Sequence, residues 1–156
     1  MKKFMIAAAA CGLMAGPALA DGHTPSGDAA AGESAFSQCQ TCHVVVDGDG
    51  NTLAGRNART GPNLYGIAGR QAGIVDGFRY SDAVVSAGEA GLMWDEETFV
   101  GYVQDPTGWL REHLDDNRAR GKMSYKVRKE EDAVNLWAYL YSLASPAEDG
   151  ASAFTN

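Results

Sequence analysis

The chain is poor in the residues that usually do chemistry. It has three cysteines and three histidines, and its 20 acidic side chains outnumber its 13 basic ones, for a formal charge of −7. A deficit of positive charge excludes any general attraction for nucleic acid or anionic lipid. Long apolar runs are also missing: the one clear run, Phe4 to Leu13, falls well short of the roughly 20 residues needed to span a bilayer. That run follows Lys2 and Lys3 and precedes Ala18-Leu19-Ala20, the layout of a secretory signal peptide cut after Ala20. Cys11 lies too early in the apolar run for a lipid-modified cysteine, so ordinary cleavage is the better reading and no membrane anchor is expected. Removing residues 1–20 takes away two lysines and no acids, so the charge goes from −7 to −9. Only Cys39 and Cys42 then remain, in an oxidising compartment where a lone pair could form a disulfide.

The domain is expected over residues 21–145, with a polar, mobile tail at 146–156. Within it, Ala29 to Cys42 reads as a helix that Ser26 or Asp28 can cap, with Phe36 facing inward. From Val46 to Gly61 the chain is rich in turn residues and reads as a surface insertion with hairpin-like turns. Asp47, Asp49 and Asn51 open like a calcium loop, but Thr52 stands where glycine is required and Ala58 where glutamate is, so the motif is declined. Residues 61 to 80 are irregular and glycine-punctuated, which lets backbone wrap closely around a bulky object. Short helices are expected at Ser81–Gly88 and Asp95–Gln104, the second stopped by Pro106. A loop over 107–128 then leads to the clearest helix, Lys129 to Leu143, which carries Val134, Leu136, Trp137, Leu140 and Tyr141 at helical spacing. No strand shows convincing alternation. The expectation is therefore all-α, with loops so long that a bulky apolar group must fill the space between them.

Cys39-Gln40-Thr41-Cys42-His43 identifies that group. Cys-x-x-Cys-His reads as a c-type haem attachment site. Two thiols three positions apart on a helical turn face the same side and can add to both vinyl groups of one haem. The next residue then sets its imidazole over the iron. A thioredoxin-like redox pair would need a preceding strand, and a zinc site a second pair of ligands. His23 and His113 have no supporting neighbours. For the far side of the iron the candidates are Met93, Met123, His23 and His113. Met123 lies among polar residues in a loop, whereas Met93 beside Trp94 suits a packing role.

At this point the sequence resembles the class I c-type cytochromes, in particular the bacterial cytochrome c2 type. The resemblance rests on Cys39 to His43, Thr60-Gly61-Pro62-Asn63-Leu64-Tyr65-Gly66, Gly69-Arg70, Trp94, Tyr102, Pro106 and Lys122-Met123 in order, and covers nearly all of residues 28 to 143. It implies short helices and long loops wrapped around one covalent haem c. It further implies His43 and Met123 as axial iron ligands, and the Pro62 carbonyl as partner of the other His43 nitrogen. Trp94, Arg70 and Tyr80 match positions that hold the haem propionates, Tyr102 the tyrosine near the methionine sulfur, and Gly32 and Phe36 the contact with the last helix around Leu136 and Tyr139. Phe78 departs from the pattern, since many relatives carry tyrosine there. The segment from Gly88 to Trp94 is longer than in short members.

Two protein ligands on iron leave no vacant position for a substrate, so the implied role is a monomeric electron carrier and not an enzyme. Its expected donor is a membrane cytochrome bc1 complex, and its acceptor a reaction centre, a terminal oxidase or a reductase. The alternative is a haem peroxidase or ligand sensor with a displaceable Met123, which the lack of a distal histidine–arginine pair disfavours. Seven of the 11 basic residues beyond position 20 (Arg111, Arg118, Arg120, Lys122, Lys126, Arg128 and Lys129) fall between 111 and 129, offset by Glu112, Asp115 and Asp116, for about +4 locally. Lys122, Lys126, Arg128 and Lys129 are thereby expected to steer acidic partners toward the haem edge.

Overall fold

A computed structural model describes residues 24–144. The expected leader 1–20 and tail 146–156 lie outside the described residues. Among the described residues, five helices and one small hairpin occur in the order α1 (Ala29–Phe36), β1 (Val45–Val46), β2 (Thr52–Ala54), α2 (Asp82–Glu89), α3 (Glu96–Gln104), α4 (Pro106–His113) and α5 (Glu130–Ala144). The all-α expectation holds, and the remainder is loop.

Asp28, not Ser26, caps α1: its carboxylate accepts from the amides of Ala30 and Ala31. Ser26 instead donates its amide to the Glu96 carboxylate at 2.9 Å, with its hydroxyl on the same group. α1 ends at Phe36, short of Cys42, and the chain continues in successive turns. Gly32 lies so close to α5 that an added Cβ would collide with the Asn135 carbonyl and stand 2.8 Å from the Tyr139 Cβ. Phe36 then packs its ring on Tyr139 at 5.6 Å. α3 closes the other side of α5 through Phe99 and Trp137, whose ring centroids are 5.3 Å apart. Gly32, Phe36, Leu136 and Tyr139 form the anticipated contact between the first and last helices, all four buried.

Two elements differ from expectation. The Val46–Gly61 insertion does form a hairpin, with Val45 opposite Ala54 and Val46 opposite Thr52 across a bulge. Its first strand is not wholly superficial, because Val45 is completely buried. The Asp47 carboxylate is used within the turn, accepting from the amides of Asp49 and Asn51 and from the Asn51 side chain. The second difference is α4, which occupies part of the stretch expected to be loop. Pro106 stops α3 but also sits at the start of α4, where its missing N–H costs nothing, and Asp105 caps that helix through the Gly108 amide. Among the described residues, no helix is long and apolar enough to cross a membrane.

Candidate functional site

After α1 the backbone turns twice: Cys39 and Gln40 both donate to the Phe36 carbonyl, and Cys42 and His43 both donate to the Cys39 carbonyl. These turns bring Cys39, Cys42 and His43 to one place. Both thiols are half-buried and unpaired. Burial, and then the neighbouring Cys42, push the Cys39 thiol up to about 11, so it stays protonated at neutral pH.

His43 is anchored from the facing loop. Its Nδ1 lies 3.0 Å from the Pro62 carbonyl oxygen. A carbonyl can only accept, so Nδ1 carries the proton and Nε2 keeps its lone pair. Burial lowers the His43 pKa from its ordinary value against the opposing pull of the Pro62 bond, which favours the neutral, ligating form. The Gly61 amide donates to the Cys42 carbonyl at 2.7 Å, laying Gly61 flat beneath the ring. A Cβ there would stand 2.6 Å from Nδ1 and 2.8 Å from Nε2, so only glycine fits.

The resemblance named five surrounding residues and one further ligand. Arg70 donates to the carbonyls of Tyr65 (2.6 Å) and Asn63 (3.1 Å) and has no carboxylate partner among the described residues. Burial lowers its pKa, with the Tyr80 phenol opposing. A half-buried cation held only by carbonyls suits an anionic group alongside. Tyr80 is raised by burial, with Arg70 opposing, and its ring meets Phe78 edge-on at 4.8 Å. Trp94 is tied to the same place by backbone, donating to the Arg70 carbonyl and accepting from Gly69. Tyr102 packs on Trp94 at 5.1 Å, and burial pushes its phenol up to about 12. Met123 is partly buried against the core, along with Leu64, Tyr65, Ala68, Tyr80 and Tyr102 from separate segments. Met93, expected to pack, is instead 48% exposed, because its segment bridges Gln71 at the surface.

The four docking candidates are not equivalent. Lys122 donates to the Arg79 carbonyl at 2.6 Å, and Lys126 pairs with Asp105 at 2.7 Å. Arg128 and Lys129 are exposed and have no ion pair among the described residues.

Three contributors escaped the sequence reading. Trp109 meets Trp94 at 6.4 Å and Tyr102 at 6.0 Å, and stacks on His113 at 4.5 Å. Asn63 accepts from the Val46 and Tyr65 amides and donates to the Val46 carbonyl, stitching the hairpin to the loop that holds His43. Asp105 caps α4 and holds Lys126. Only the last had a local signal, an acidic residue directly before proline.

Two half-buried thiols one turn apart, a neutral imidazole with a free Nε2, a cradle that admits no Cβ and a half-buried apolar lining together fit a covalent haem. Comparison with known proteins agrees. No protein-family profile matches the chain. It is 67% identical over 118 residues to a cytochrome c2 of Rhodovulum adriaticum, covering 76% of this chain and 94% of that one. It is 57% identical over 129 residues to a cytochrome c2 of Cereibacter sphaeroides, covering 82% and 86%. Among solved structures, a cytochrome c2 from Rhodobacter sphaeroides superposes with a TM-score of 0.75 at 57% identity, covering 77% of this chain and 98% of that one. Fold and site define a c-type haem protein of class I. Within that class, the chain belongs to the cytochrome c2 family; it carries one covalent haem c and serves as an electron carrier.

Proposed function

We propose that the chain is a soluble periplasmic shuttle that carries one electron at a time, with His43 Nε2 and the Met123 thioether as the two axial iron ligands. Bound haem supplies a single reversible one-electron couple. Cys39 and Cys42 fasten its edge, and Pro62 holds His43 in the tautomer that presents Nε2. Arg70, Tyr80 and Trp94 offer donors and a positive charge to the propionates, and Tyr102 sits by the methionine. The observation that carries this reading is the 3.0 Å contact of His43 Nδ1 with the Pro62 carbonyl, which pre-orients the ring.

Histidine–methionine ligation raises the potential, and exclusion of water adds to it by disfavouring the more highly charged ferric state. Ligands that stay in place in both oxidation states keep rearrangement small, as suits a carrier. The donor in this reading is a membrane cytochrome bc1 complex, and the acceptor a reaction centre, terminal oxidase or reductase. Secretion by residues 1–20 would deliver the protein to the compartment where these complexes expose their docking faces.

The test is an absorption spectrum of the purified haem protein in both oxidation states, repeated for Met123→Ala. A sulfur-to-iron band in the ferric wild type, abolished in Met123→Ala, is expected. The potential should also fall by at least one tenfold step in the equilibrium, about 59 mV. A variant with unchanged spectrum and potential would refute Met123 ligation.

A further inference from the structure

Residues 114–129 contain no regular element, yet Met123 in their midst is partly buried. A segment with so few backbone partners of its own must be positioned from outside. Two of its restraints come from one place, the first turn of α4. The Gly121 amide, two residues before Met123, donates to Thr107 Oγ1 at 3.2 Å. Lys126, three residues after Met123, pairs with Asp105 at 2.7 Å. The Asp105 oxygen that holds Lys126 also receives the Gly108 amide at 3.1 Å, so the pair is built into the helix cap. Two further ties flank these contacts: the Arg111 side chain donates from Nε to the Ala119 carbonyl at 3.2 Å, and the Val127 amide donates to the Val103 carbonyl at 2.9 Å. Pro106, fully buried, fixes the turn from which Asp105 and Thr107 project.

We propose that Asp105 and Thr107 are positioning residues for Met123, gripping its loop on both sides and holding the thioether where the iron needs it. The inference rests on the assignment of Met123 as axial ligand. Thioether sulfur is a weak ligand for ferric iron and competes there with added bases. Its hold depends on how little freedom the loop has when the bond opens, because a confined ligand rebinds at high effective concentration. Loss of the Thr107 hydroxyl frees the loop before Met123. Loss of the Asp105 charge frees it after.

The experiment uses the ferric haem protein as wild type, Thr107→Val, Thr107→Ser and Asp105→Asn. The readouts are the sulfur-to-iron band, the Kd for added imidazole and thermal unfolding of the ferrous form. Thr107→Val should bind imidazole about 5-fold more tightly, the equivalent of one lost hydrogen bond. Thr107→Ser should restore the wild-type value. Asp105→Asn, which keeps the cap but not the charge, should show a smaller increase in affinity. Ferrous unfolding should move little, which separates loop freedom from general destabilisation. Unchanged imidazole affinity in both Thr107→Val and Asp105→Asn, with the band present in wild type, would overturn the positioning role alone. A wild type without the band would overturn the ligand assignment, and this proposal with it. If Thr107→Val does not fold, Asp105→Asn and Thr107→Ser decide the matter by the same readouts.

Discussion

The imidazole of His43 rests directly on the α-carbon of Gly61, with no room for a methyl group between them. The contact explains why the Thr60-Gly61-Pro62 turn must carry glycine at its centre: the same turn supplies the Pro62 carbonyl that fixes the ring.

Gly61→Ala should therefore push the ring off its Pro62 partner. Overpacking of this kind costs about 1–3 kcal/mol. The expected outcome is a lower yield of haem-loaded protein and a perturbed ferric spectrum in what does load. A wild-type spectrum at wild-type yield would show that the turn can yield freely.

Gly32→Ala tests the helix pair instead of the site. The added methyl would strike the Asn135 carbonyl and crowd the Tyr139 Cβ, and neither the α5 backbone nor a Cβ attached to it can swing aside. Denaturant unfolding should show a loss on the order of 2 kcal/mol or more. The ligand band of the folded fraction should be unaltered, because α1 and α5 meet away from Met123.

The Asp105–Lys126 pair gives a pH dependence of known sign. Lys126 and the Gly108 amide hold the Asp105 carboxyl below its ordinary value of 3.8. A depressed carboxylate contributes above its unfolded pKa, and the contribution is lost as pH falls through the folded one. Both side chains are exposed, so the effect is small. A double-mutant cycle with Asp105→Asn and Lys126→Gln should show coupling at neutral pH that disappears well below 3.8. Coupling that persists in acid would mean that the contact is not ionic.

Charge steering is best tested away from Lys122 and Lys126, which are already engaged by the Arg79 carbonyl and Asp105. Reversing either would disturb the loop as well as the field. Arg128→Glu with Lys129→Glu should slow bimolecular electron transfer to an acidic partner at low salt and flatten its salt dependence. The absorption spectrum should stay that of wild type. Stopped-flow rates across a salt series measure both, and unchanged slopes would remove these residues from the docking surface.

What could be read from the chain alone followed the range of the forces involved. Cys39 to His43 is a local motif, and the helices at 82–89, 96–104 and 130–144 announce themselves by caps and periodicity within a few residues. α4 is hidden in the sequence because Pro106 reads first as a stop for α3, although Asp105 before it is equally a start signal. Nothing in Ser37 to Cys42 forbids a longer α1, yet the helix ends at Phe36 and the turns that follow aim two thiols and an imidazole. Trp94 beside it suggests a packing role for Met93, but the bridge to Gln71 turns it outward. Asn63 and Trp109 had no local signal at all. Their roles depend on partners 17 residues away for Asn63, and on α3 and α4 meeting for Trp109.

Asp105 is at once the C-terminal cap of α3 and the N-terminal cap of α4, so the two helices meet at a corner with no slack in it. Tyr102 lies on one arm of that corner and Thr107 on the other. In the proposed role, a redox partner pressing on the Met123 loop would have to bend the whole corner, aromatic cluster included. Stiffness of this kind would let docking and undocking proceed without jolting the iron, as the proposed shuttle requires.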